Sequence, residues 1–579
     1  MTGSRARRST QSTSAQANTV TESEVFPVAL ENESDLPEFP VFPLSFKAGK
    51  TKNPDIFTLE EALADPDNYT KWVASLNKEI TDLEMHGTWE EVPYESAEGQ
   101  VVPVHWVLRV KRKPDGSIDK YKSRLCVRGD LMHGYDFETH APTCSWSTIR
   151  MVLILALTWG WITCTCDYSN AFIHATLEKP VWIQMPRGYK SKLPGKSCLK
   201  LKRSLYGTNF APRKWFDCLK EALVRYGMRQ SSVDPCLFAK PGVMAVMWVD
   251  DLILAFEKPE EKTRFLKSMQ EYGFTLTMDD SLEAFLGIKF ETLPDGAFNL
   301  TQPALIDKII ETTGMQDCNS SPTPAAPNQP LGKDPEGEPM QESWSYPSVI
   351  GSLLYLSTNT RPDICFAVSQ VARFTHDPKQ SHATAVKRII RYLAGTKDKG
   401  SVVRPDGNLE INSMSDADFA GLYKTDPPED KSSAQSRMGY LIRLGNCMLV
   451  WKSQLISSVC LATAEAEYYA LSHSLRTLLP IRRTLEDLVD MLNVPFKLRS
   501  TIRTTAREDN SAALILARDH RLTSRTRYYH AQYHHFWQHV DSGVVKLESI
   551  ESALMDADYF TKPMPRAGFE LNRKRVQGW

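Results

Sequence analysis

The chain has 579 residues, enough for three or four domains, and its 69 basic and 70 acidic side chains leave a formal charge near balance. That balance excludes a polycation that binds nucleic acid through its overall charge, so any nucleic-acid surface must be local. The eleven cysteines show no C-x-x-C spacing and no Cys/His cluster with zinc spacing, which is typical of free thiols in a reducing compartment.

The first 55 residues are predicted to form a disordered tail, since they are poor in large apolar side chains and mix Ser, Thr, Arg, Pro and acidic residues. The Arg/Ser-rich start leaves a mitochondrial presequence open as an alternative. The first helix is predicted where Trp72, Leu76, Ile80 and Leu83 recur at spacings of four, four and three, with Gly87 as its C-terminal stop.

Residues 106–128 are predicted to form a β-hairpin with one strongly positive face. Basic and apolar residues alternate on both sides of a Pro114-Asp115-Gly116 turn, and the second strand contains Lys122 and Arg124. Two interpretations stay open, a charged face exposed to solvent or a surface that grips phosphate groups.

The longest apolar run, residues 151–162, is too short to cross a bilayer, and no signal peptide precedes the first domain. We therefore expect a soluble, intracellular protein with no membrane partner. The run is followed by residues 164–172, where Asp167 is predicted at the end of a strand. Such an aspartate commonly caps the next helix, so Asp167 alone would be unremarkable.

Residues 243–256 are predicted to form a second hairpin, with Asp250 and Asp251 at the tip of an otherwise apolar run. An acidic turn alone is usually only exposed to solvent. Together with Asp167, however, the pair makes three carboxylates, which cannot all stay ionised without a counter-charge. Mg²⁺ prefers oxygen ligands, and two such ions roughly 3.5–4 Å apart can stabilise both oxygens of a phosphoryl transfer.

Residues 316–345 are rich in Pro, Ser, Asn and Gln and are predicted to be a linker. Helices are predicted over 349–356, 364–374 and 383–393. The last of these contains basic residues for which two interpretations stay open, a face exposed to solvent or a contact with a nucleic-acid duplex. These residues, with one tyrosine, are Lys387, Arg388, Arg391 and Tyr392.

The last domain is predicted to contain a mixed sheet, because strand patterns come first and then alternate with helices. Strands are predicted over 409–418, 437–444, 448–451, 455–460 and 500–505. Acidic residues follow strands or begin helices at Asp416 and Asp418, at Glu465 and Glu467, and at Asp509. Glu467 shares a helical stripe with the leucines at 471, 475 and 478, which directs it toward the sheet, whereas Glu465 points elsewhere.

Seven sequence boxes in a fixed order carry a family resemblance. Because of these boxes, the chain resembles the reverse transcriptase and ribonuclease H portion of a copia-type (Pseudoviridae-like) LTR retrotransposon polyprotein. The resemblance extends from about residue 59 to about residue 564. The boxes are Gly87-Thr88-Trp89-Glu90, residues 121–125, residues 204–207 with 211–213, residues 249–251, residues 285–288, residues 351–356 and residues 360–364.

The resemblance implies an α+β multidomain fold, a right-hand polymerase of fingers, palm and thumb followed by a connection region and a ribonuclease H-like α/β domain. The implied parts are the tail at 1–55, the fingers, palm and start of the thumb at 56–315, the linker at 316–345, connection helices at 346–405, the ribonuclease H-like domain at 406–566 and a basic tail at 567–579.

The resemblance also assigns polymerase roles. Asp167, Asp250 and Asp251 would be the catalytic, metal-binding carboxylates. Nucleotide binding would involve Lys122 and Arg124 at the triphosphate, Phe172 as a steric gate under the sugar, and Gly207 where the backbone approaches template or nucleotide. Ordinary core packing for Phe172 and a simple turn for Gly207 stay open. Two departures from the family are Trp248, where Tyr is usual, and the loop 208–210, which lacks a usual Lys.

For the ribonuclease H-like domain, the resemblance implies Asp416, Glu467, Asp509 and Asp558 as catalytic acids that bind metal. Asp418 stays open as a replacement for Asp416, and Asp509 could instead cap a helix. The family's usual Asp is replaced by His530. This residue and its neighbours are interpreted as structural or substrate-facing rather than as a metal site: His534, His535 and His539.

The implied function is an RNA-directed DNA polymerase that also hydrolyses the RNA strand of RNA–DNA hybrids, with two Mg²⁺ in each site and Mn²⁺ as an alternative. Its partners would be RNA template, DNA primer, RNA–DNA hybrid and deoxynucleoside triphosphates, in the cytoplasm or virus-like particles, with the nucleus as an alternative. The chain lacks zinc-knuckle, protease and integrase motifs, so we expect a released C-terminal piece or a truncated gene. A second hypothesis is a relic or co-opted protein that binds nucleic acid without catalysis.

Overall fold

The computed structural model describes residues 55–112, 117–327, 329–423, 425–427, 429–520 and 531–579. The predicted tail before Asp55, the Pro114-Asp115-Gly116 turn and His530 lie outside these ranges. The chain divides into two compact units, whose described parts are 55–137 with 176–209, and 138–175 with the rest of the chain from 210. The predicted part 56–315 is therefore divided between two units, because residues 176–209 return to the sheets of the first one.

The fold is mixed α and β. Its helices are α1 (Leu59–Leu63), α2 (Tyr69–Met85), α3 (Trp146–Thr158), α4 (Ala211–Arg225), α5 (Pro259–Tyr272), α6 (Pro303–Thr312), α7 (Tyr346–Asn359), α8 (Cys365–Ala372), α9 (Gln380–Ala394), α10 (Thr463–Met491), α11 (Phe496–Arg499), α12 (Ser511–Asp519), α13 (Trp537–Asp541) and α14 (Arg566–Gln577). No helix in the described ranges is both long and apolar enough to cross a membrane.

The strands form five sheets. They are β1 (Ile56–Phe57), β2 (Trp89–Pro93), β3 (Val101–Val102), β4 (Val104–Arg112), β5 (Ile118–Val127), β6 (Ile162–Tyr168), β7 (Thr176–Ile183), β8 (Ser197–Arg203), β9 (Arg229–Gln230), β10 (Leu237–Lys240), β11 (Val243–Trp248), β12 (Asp251–Phe256), β13 (Leu276–Met278), β14 (Ala284–Phe285), β15 (Ile288–Thr292), β16 (Phe298–Thr301), β17 (Ser401–Val403), β18 (Ile411–Asp418), β19 (Arg437–Leu444), β20 (Cys447–Leu455), β21 (Thr504–Glu508) and β22 (Lys546–Ser549).

The first unit contains two sheets, with strand orders β1-β4-β5 and β2-β8-β7-β3. The predicted hairpin is confirmed as the antiparallel pair β4–β5. The predicted amphipathic helix is confirmed as α2, whose Trp72 and Leu76 pack against Leu108 of β4. Gly87 ends this region with φ of +62°, a left-handed conformation that glycine adopts without strain.

The second unit is built on a six-stranded sheet of order β13-β6-β12-β11-β10-β9. Strands β11 and β12 form the predicted acidic hairpin, and their apolar residues are almost all buried. The apolar run that precedes β6 is the helix α3, which is buried along most of its length. A continuous hydrophobic core joins this sheet to α10 and to the last sheet of the chain.

Between these sheets lie β14-β15-β16-β17 and the helices α6 to α9, and the three helices predicted within 349–393 are confirmed. The described part of 316–345 contains no helix or strand, but it packs on these helices instead of linking domains freely. Trp344 is buried, and the main-chain oxygens of Thr323 and Gly332 bond Arg388 and His382. These partners lie more than 45 residues away, so local composition gave no sign of them.

The basic side chains of the helix predicted over 383–393 make contacts within the protein. Lys387 pairs with Glu342, Arg391 donates to the main-chain oxygen of Asn319, and Tyr392 is fully buried. The basic side chains of α9 thus bond to the segment before α7, and a contact of this helix with a hybrid duplex stays a prediction.

The last sheet has the order β20-β19-β18-β21-β22, antiparallel from β20 to β18 and parallel from β18 to β22. The predicted mixed sheet is therefore confirmed, with three differences in detail. The strands predicted at 448–451 and 455–460 are one strand that ends at Leu455, and the strand predicted from 500 begins at Thr504.

The third difference is at the C-terminus, where the residues predicted to be a basic tail form most of the helix α14. Its apolar side chains Phe569 and Val576 are buried, and Trp579 donates through its indole nitrogen to the main-chain oxygen of Gly400 at 2.6 Å. Only a few apolar residues are spaced among many charges, so the amphipathic pattern was hidden by the composition.

Candidate metal centres

Two aspartates of the second unit face each other across neighbouring strands. Asp167 lies in β6 and Asp251 is the first residue of β12, and these two residues are direct partners in the antiparallel register. Asp250 is next to them in the turn that joins β11 to β12. We call these three residues the carboxylate row.

Within the carboxylate row, ionisation of Asp251 is disfavoured. The pKa of Asp251 is raised to about 7, first because the side chain is largely buried and then because the charges of Asp250 and Asp167 oppose its ionisation. A divalent cation would remove both penalties, so the row is chemically suited to hold one.

The turn that presents Asp250 is held by tryptophans. Val249 has φ of +56°, which is uncommon for a β-branched residue, and its main-chain oxygen accepts a hydrogen bond of 2.7 Å from the indole of Trp215. Trp248, the residue before Val249, pairs across the hairpin with Asp251. Its ring packs on that of Trp146, with ring centroids 6.1 Å apart. The residue that departs from the family pattern is thus packed against a second tryptophan.

A second group of carboxylates gathers at the last sheet. Asp416 lies near the end of β18, Glu467 in the first turns of α10 and Asp509 directly after β21, and each offers an oxygen within 4.8 Å of the others. Asp558, in the 3-10 turn Asp556–Phe560, lies close enough for its charge to oppose the ionisation of Asp416. We call these four residues the acidic cluster.

Glu467 lies on the buried stripe of α10, as the spacing of the leucines predicts. Glu467 is 5% exposed on the buried side of α10 with Leu471 and Leu475, whereas Glu465 caps the main-chain amide of Leu461. The helix cap after β21 is Asn510, not Asp509, which leaves the carboxylate of Asp509 to the cluster and to the hydroxyl of Ser552.

Burial and the charges of neighbouring acids disfavour ionisation of Asp416 and Glu467. Burial, followed by the charge of Asp558, raises the pKa of Asp416 to about 7. Burial, followed by the charges of Glu508 and Asp416, raises the pKa of Glu467 to about 10. Such shifts are expected where carboxylates converge without a counter-ion.

One atom makes the fit of the acidic cluster to a cation specific. The Oε2 atom of Glu467 is buried and has no hydrogen-bond partner within the described residues. A buried carboxylate oxygen without a donor is costly, and a hard cation shared with Asp416 and Asp509 would satisfy it. The residues present therefore fit Mg²⁺.

Two further acids lie nearby. Glu508 is fully buried, accepts a hydrogen bond from Ser415 and has a pKa well above its usual range, mainly because of burial. In the sequence, only the alternation of side chains along β21 distinguishes Glu508 from its neighbour Asp509, because it directs the two side chains apart. Asp418, the alternative to Asp416, lies two residues further along β18, opposite Arg437. Burial raises the pKa of Asp418, and the charges of Lys562 and Arg437 partly oppose this rise.

The residues predicted to bind nucleotide lie in both units. Lys122 and Arg124 are in β5 of the first unit, where the Arg124 guanidinium lies 4.7 Å from the ring centroid of Tyr206. Gly207 has φ of +85°, and a Cβ atom there would stand 2.2 Å from the main-chain oxygen of Val127. The positive φ and the close approach of β5 therefore explain why position 207 needs glycine, and contact with a nucleotide is not required for this explanation.

Phe172 belongs to the second unit and lies in the 3-10 turn Ala171–His174 directly after β6. Its side chain is half-buried against the core, so core packing explains part of its surface. Its role as a steric gate stays a prediction, as do the roles of Lys122 and Arg124.

The described histidines of the His-rich stretch make structural contacts. His534 hydrogen-bonds with the hydroxyl of Tyr468 at 2.8 Å and stacks on Trp537, with ring centroids 4.1 Å apart. His535 contacts the hydroxyl of Ser472. These contacts favour the interpretation of the two residues as packing groups.

Comparison with known proteins supplies independent information. Residues 86–327 match the family model described as reverse transcriptase (RNA-dependent DNA polymerase). The chain is similar to the retrovirus-related Pol polyprotein from transposon RE1 of Arabidopsis thaliana, with 30% identity over 86% of this chain and 33% of the relative.

Two other Pol polyproteins show the same extent of similarity. They are those from transposon RE2 of Arabidopsis thaliana, with 28% identity over 92% of this chain and 35% of the relative, and from transposon TNT 1-94 of Nicotiana tabacum, with 28% identity over 90% and 38%. The chain spans little more than a third of the length of these curated relatives.

Proposed function

We propose that this chain, which belongs to the copia-type LTR retrotransposon Pol polyproteins and contains a reverse transcriptase domain, is an RNA-directed DNA polymerase that copies retroelement RNA into DNA. The observation that carries the proposal is the direct cross-strand pairing of Asp167 with Asp251, beside Asp250, on the buried six-stranded sheet. This pairing brings together carboxylates that are 84 residues apart in sequence, within the matched domain.

In the proposed layout, the six-stranded sheet is the palm, the β4–β5 hairpin belongs to the fingers, and the helices between 346 and 405 form the connection. The five-stranded mixed sheet with α10 is the ribonuclease H-like domain, with a first strand and a first long helix that each contribute an acid. This layout is supported by the order of the motifs along the chain and by the strand orders of the two sheets.

In the polymerase reaction, the carboxylate row would hold two Mg²⁺, or Mn²⁺ in its place, beside the primer terminus. When bound, the ions would supply Lewis-acid stabilisation to the attacking 3′-hydroxyl and the leaving pyrophosphate. Asp251 has a pKa of about 7 without metal, so binding of a cation near neutral pH would displace a proton from its carboxyl group.

Three side chains are proposed to select the incoming deoxynucleotide. Lys122 and Arg124 alternate along β5 with buried residues, so both point to the same face of the hairpin and would neutralise the triphosphate. Phe172, five residues after Asp167, would exclude a 2′-hydroxyl by contact.

The acidic cluster supports a second reaction, hydrolysis of the RNA strand of an RNA–DNA hybrid. Asp416, Glu467, Asp509 and Asp558 would hold two divalent cations, which when bound would activate the water nucleophile and stabilise the leaving oxygen. The chain's own contribution is a set of converging carboxylate oxygens, of which those of Asp416 and Glu467 are buried. Its partners would be RNA template, DNA primer, hybrid duplex and deoxynucleoside triphosphates, in the cytoplasm or in virus-like particles.

The alternative of a non-catalytic nucleic-acid-binding protein is favoured only by Trp248 and the loop 208–210. The packing of Trp248 on Trp146 weakens this alternative, because the larger ring is accommodated by a neighbour and does not displace the hairpin. All seven predicted catalytic carboxylates are also retained.

The two reactions can be tested with one protein and two crossed variants. Primer extension on poly(rA)·oligo(dT) with Mg²⁺ should be lost in Asp250→Asn, while cleavage of a labelled RNA–DNA hybrid is kept. Asp416→Asn should show the reverse, and Asp280→Asn, at a fully exposed carboxylate, should keep both activities. Equal extension by wild type and Asp250→Asn would contradict the polymerase, and equal cleavage by wild type and Asp416→Asn would contradict the nuclease.

A further inference from the structure

The two residues that close the turn after Asp558 both contact the acidic cluster. Thr561 is buried, and its hydroxyl donates a hydrogen bond to the Oδ2 atom of Asp416. The ammonium of Lys562 pairs with the Oδ1 atom of Asp558 at 2.7 Å, and its side chain remains 46% exposed. Neither residue is among the acids, and each contacts a different member of the cluster.

Strand β19 is built to admit this turn. Gly439 is the cross-strand partner of Asp416, and a Cβ atom at Gly439 would stand 2.7 Å from the Cγ2 atom of Thr561 and 2.8 Å from the Cβ atom of Phe560. Such distances are shorter than real carbon contacts, so only glycine lets the turn lie directly over the strand. The missing side chain opposite Asp416 is thus replaced by Thr561.

Buried anchors fix the turn on both sides of Thr561. Asp556, which begins it, makes a buried ion pair of 2.8 Å with Arg443 of the same strand β19. Phe560 is fully buried, and Ala557 packs in the same core. The hydroxyl of Thr561 is therefore held by a rigid frame, so it can determine the orientation of the Asp416 carboxylate.

The chemical consequence concerns geometry and charge. A hydrogen bond to one oxygen of Asp416 restricts rotation of its carboxylate, which must face Glu467 and Asp509 to share a cation. Lys562 partly offsets the repulsion between Asp558 and Asp416, and it ties the more exposed acid to the edge of the cluster. Groups that orient metal ligands in this way commonly change metal affinity by about 10–100-fold when removed.

We propose that Thr561 and Lys562 are positioning residues for the nuclease reaction, Thr561 by orienting the Asp416 carboxylate and Lys562 by holding Asp558 beside it. The proposal rests on the proposed ribonuclease H function of the acidic cluster. It assigns a role to the hydroxyl and to the ammonium, and no covalent step to either.

The test for Thr561 compares Thr561→Val, which keeps the shape and removes the hydroxyl, with Thr561→Ser, which keeps the hydroxyl. Mg²⁺ binding is measured by calorimetry on the full chain in an Asp250→Asn background, and hybrid cleavage is measured against Mg²⁺ concentration with the native carboxylate row. We expect Thr561→Val to weaken Mg²⁺ binding and to raise the Mg²⁺ concentration for half-maximal cleavage by about tenfold. Thr561→Ser should restore both, and primer extension should be unchanged in both variants.

The test for Lys562 compares Lys562→Met with Lys562→Arg by the same two measurements. We expect Lys562→Met to change the Mg²⁺ dependence of cleavage, with recovery in Lys562→Arg because the positive charge is kept. This pair also keeps the proposal testable if Thr561→Val does not fold, since the Lys562 side chain is partly exposed.

The proposal is overturned if Thr561→Val and Lys562→Met both bind Mg²⁺ like the wild type, or if Thr561→Ser fails to restore what Thr561→Val loses. Failure of the proposed function gives a different result, an absence of hybrid cleavage in the wild type itself. Calorimetry then still decides whether the two residues position the cluster, because it needs no turnover.

Discussion

Replacing Arg150 is expected to destabilise the second unit more than any exposed arginine does. Arg150 lies in α3, is 5% exposed and donates to three main-chain oxygens, those of Leu449, Thr358 and Asn359, at 2.7–2.9 Å. Leu449 belongs to the five-stranded sheet, and the other two oxygens end α7. One guanidinium therefore joins α3 to both the end of α7 and the five-stranded sheet.

Aromatic rings complete the environment of Arg150. Its guanidinium carbon lies 4.3 Å from the ring centroid of Trp451 and 5.7 Å from that of Trp146. The indole of Trp451 donates to the main-chain oxygen of Ser357 at 2.7 Å, so the same helix end is bound twice. Burial lowers the pKa of Arg150, which shows the desolvation that these contacts offset.

The magnitude follows from the groups left behind. Arg150→Met keeps most of the apolar stem but removes the donor from three main-chain oxygens, and the loss at each of the two buried ones costs about 1–3 kcal/mol. Relief from burying a charge offsets part of this cost, so we expect a net loss of about 3 kcal/mol. At roughly 2 °C for each kcal/mol in a protein of this size, the melting temperature should fall by about 6 °C.

The assay is thermal unfolding followed by circular dichroism, with Arg229→Met as the matched control. Arg229 also joins the six-stranded sheet to α10, through Asp490, but it is 60% exposed and its loss should cost under about 1 kcal/mol. If Arg150→Met melts within about a degree of the control, the buried junction contributes no stability and the reasoning is refuted.

Three further predictions concern the hairpin, the metals and a glycine. Trp248→Tyr should lower stability by about 1 kcal/mol through loss of ring contact and should not raise the rate of nucleotide incorporation. The folded pKa values of Asp251 and Asp416 are raised from 3.8 to about 7, so their ionisation should destabilise the metal-free protein as pH rises from about 4 to 7. Adding Mg²⁺ should therefore raise the melting temperature more near pH 8 than near pH 5.5. Gly207→Ala should cost at least about 2 kcal/mol, more than Gly195→Ala, which has nearly the same positive φ but open space at the Cβ position.

Each of these predictions has an outcome that contradicts it. A several-fold gain in incorporation by Trp248→Tyr would identify the indole as damage to the site. An equal effect of Mg²⁺ on the melting temperature at both pH values would mean that the carboxylates of the metal-free protein are already ionised. Equal melting temperatures for Gly207→Ala and Gly195→Ala would mean that contact with Val127 is unimportant.

The local patterns in the sequence were sufficient for the hairpins and for the helix that carries Glu467. Strands β11 and β12 are buried on both faces, so their apolar runs are continuous and the two aspartates stand out between them. Glu467 could be chosen over Glu465 because the period of the helix places it with the leucines. In each case the information lies within about ten neighbouring residues.

What could not be predicted depends on partners that are distant in sequence. The basic side chains of α9 bond a segment at least 45 residues earlier, and the role of Arg150 depends on oxygens about 200 and 300 residues later. The reason for glycine at Gly207 is an oxygen of Val127, which no local pattern contains. Main-chain acceptors leave no trace in the sequence, so these contacts appear only in the folded chain.

The most direct test of the central claim is single-nucleotide incorporation into a DNA primer on an RNA template, by wild type and by Asp167→Asn. Asp167 is the member of the carboxylate row that only the fold brings to the hairpin. We expect incorporation by the wild type that requires Mg²⁺ or Mn²⁺ and is lost in Asp167→Asn, with Asp280→Asn as active as the wild type. Incorporation by Asp167→Asn at the wild-type rate, or none by the wild type, would contradict this expectation.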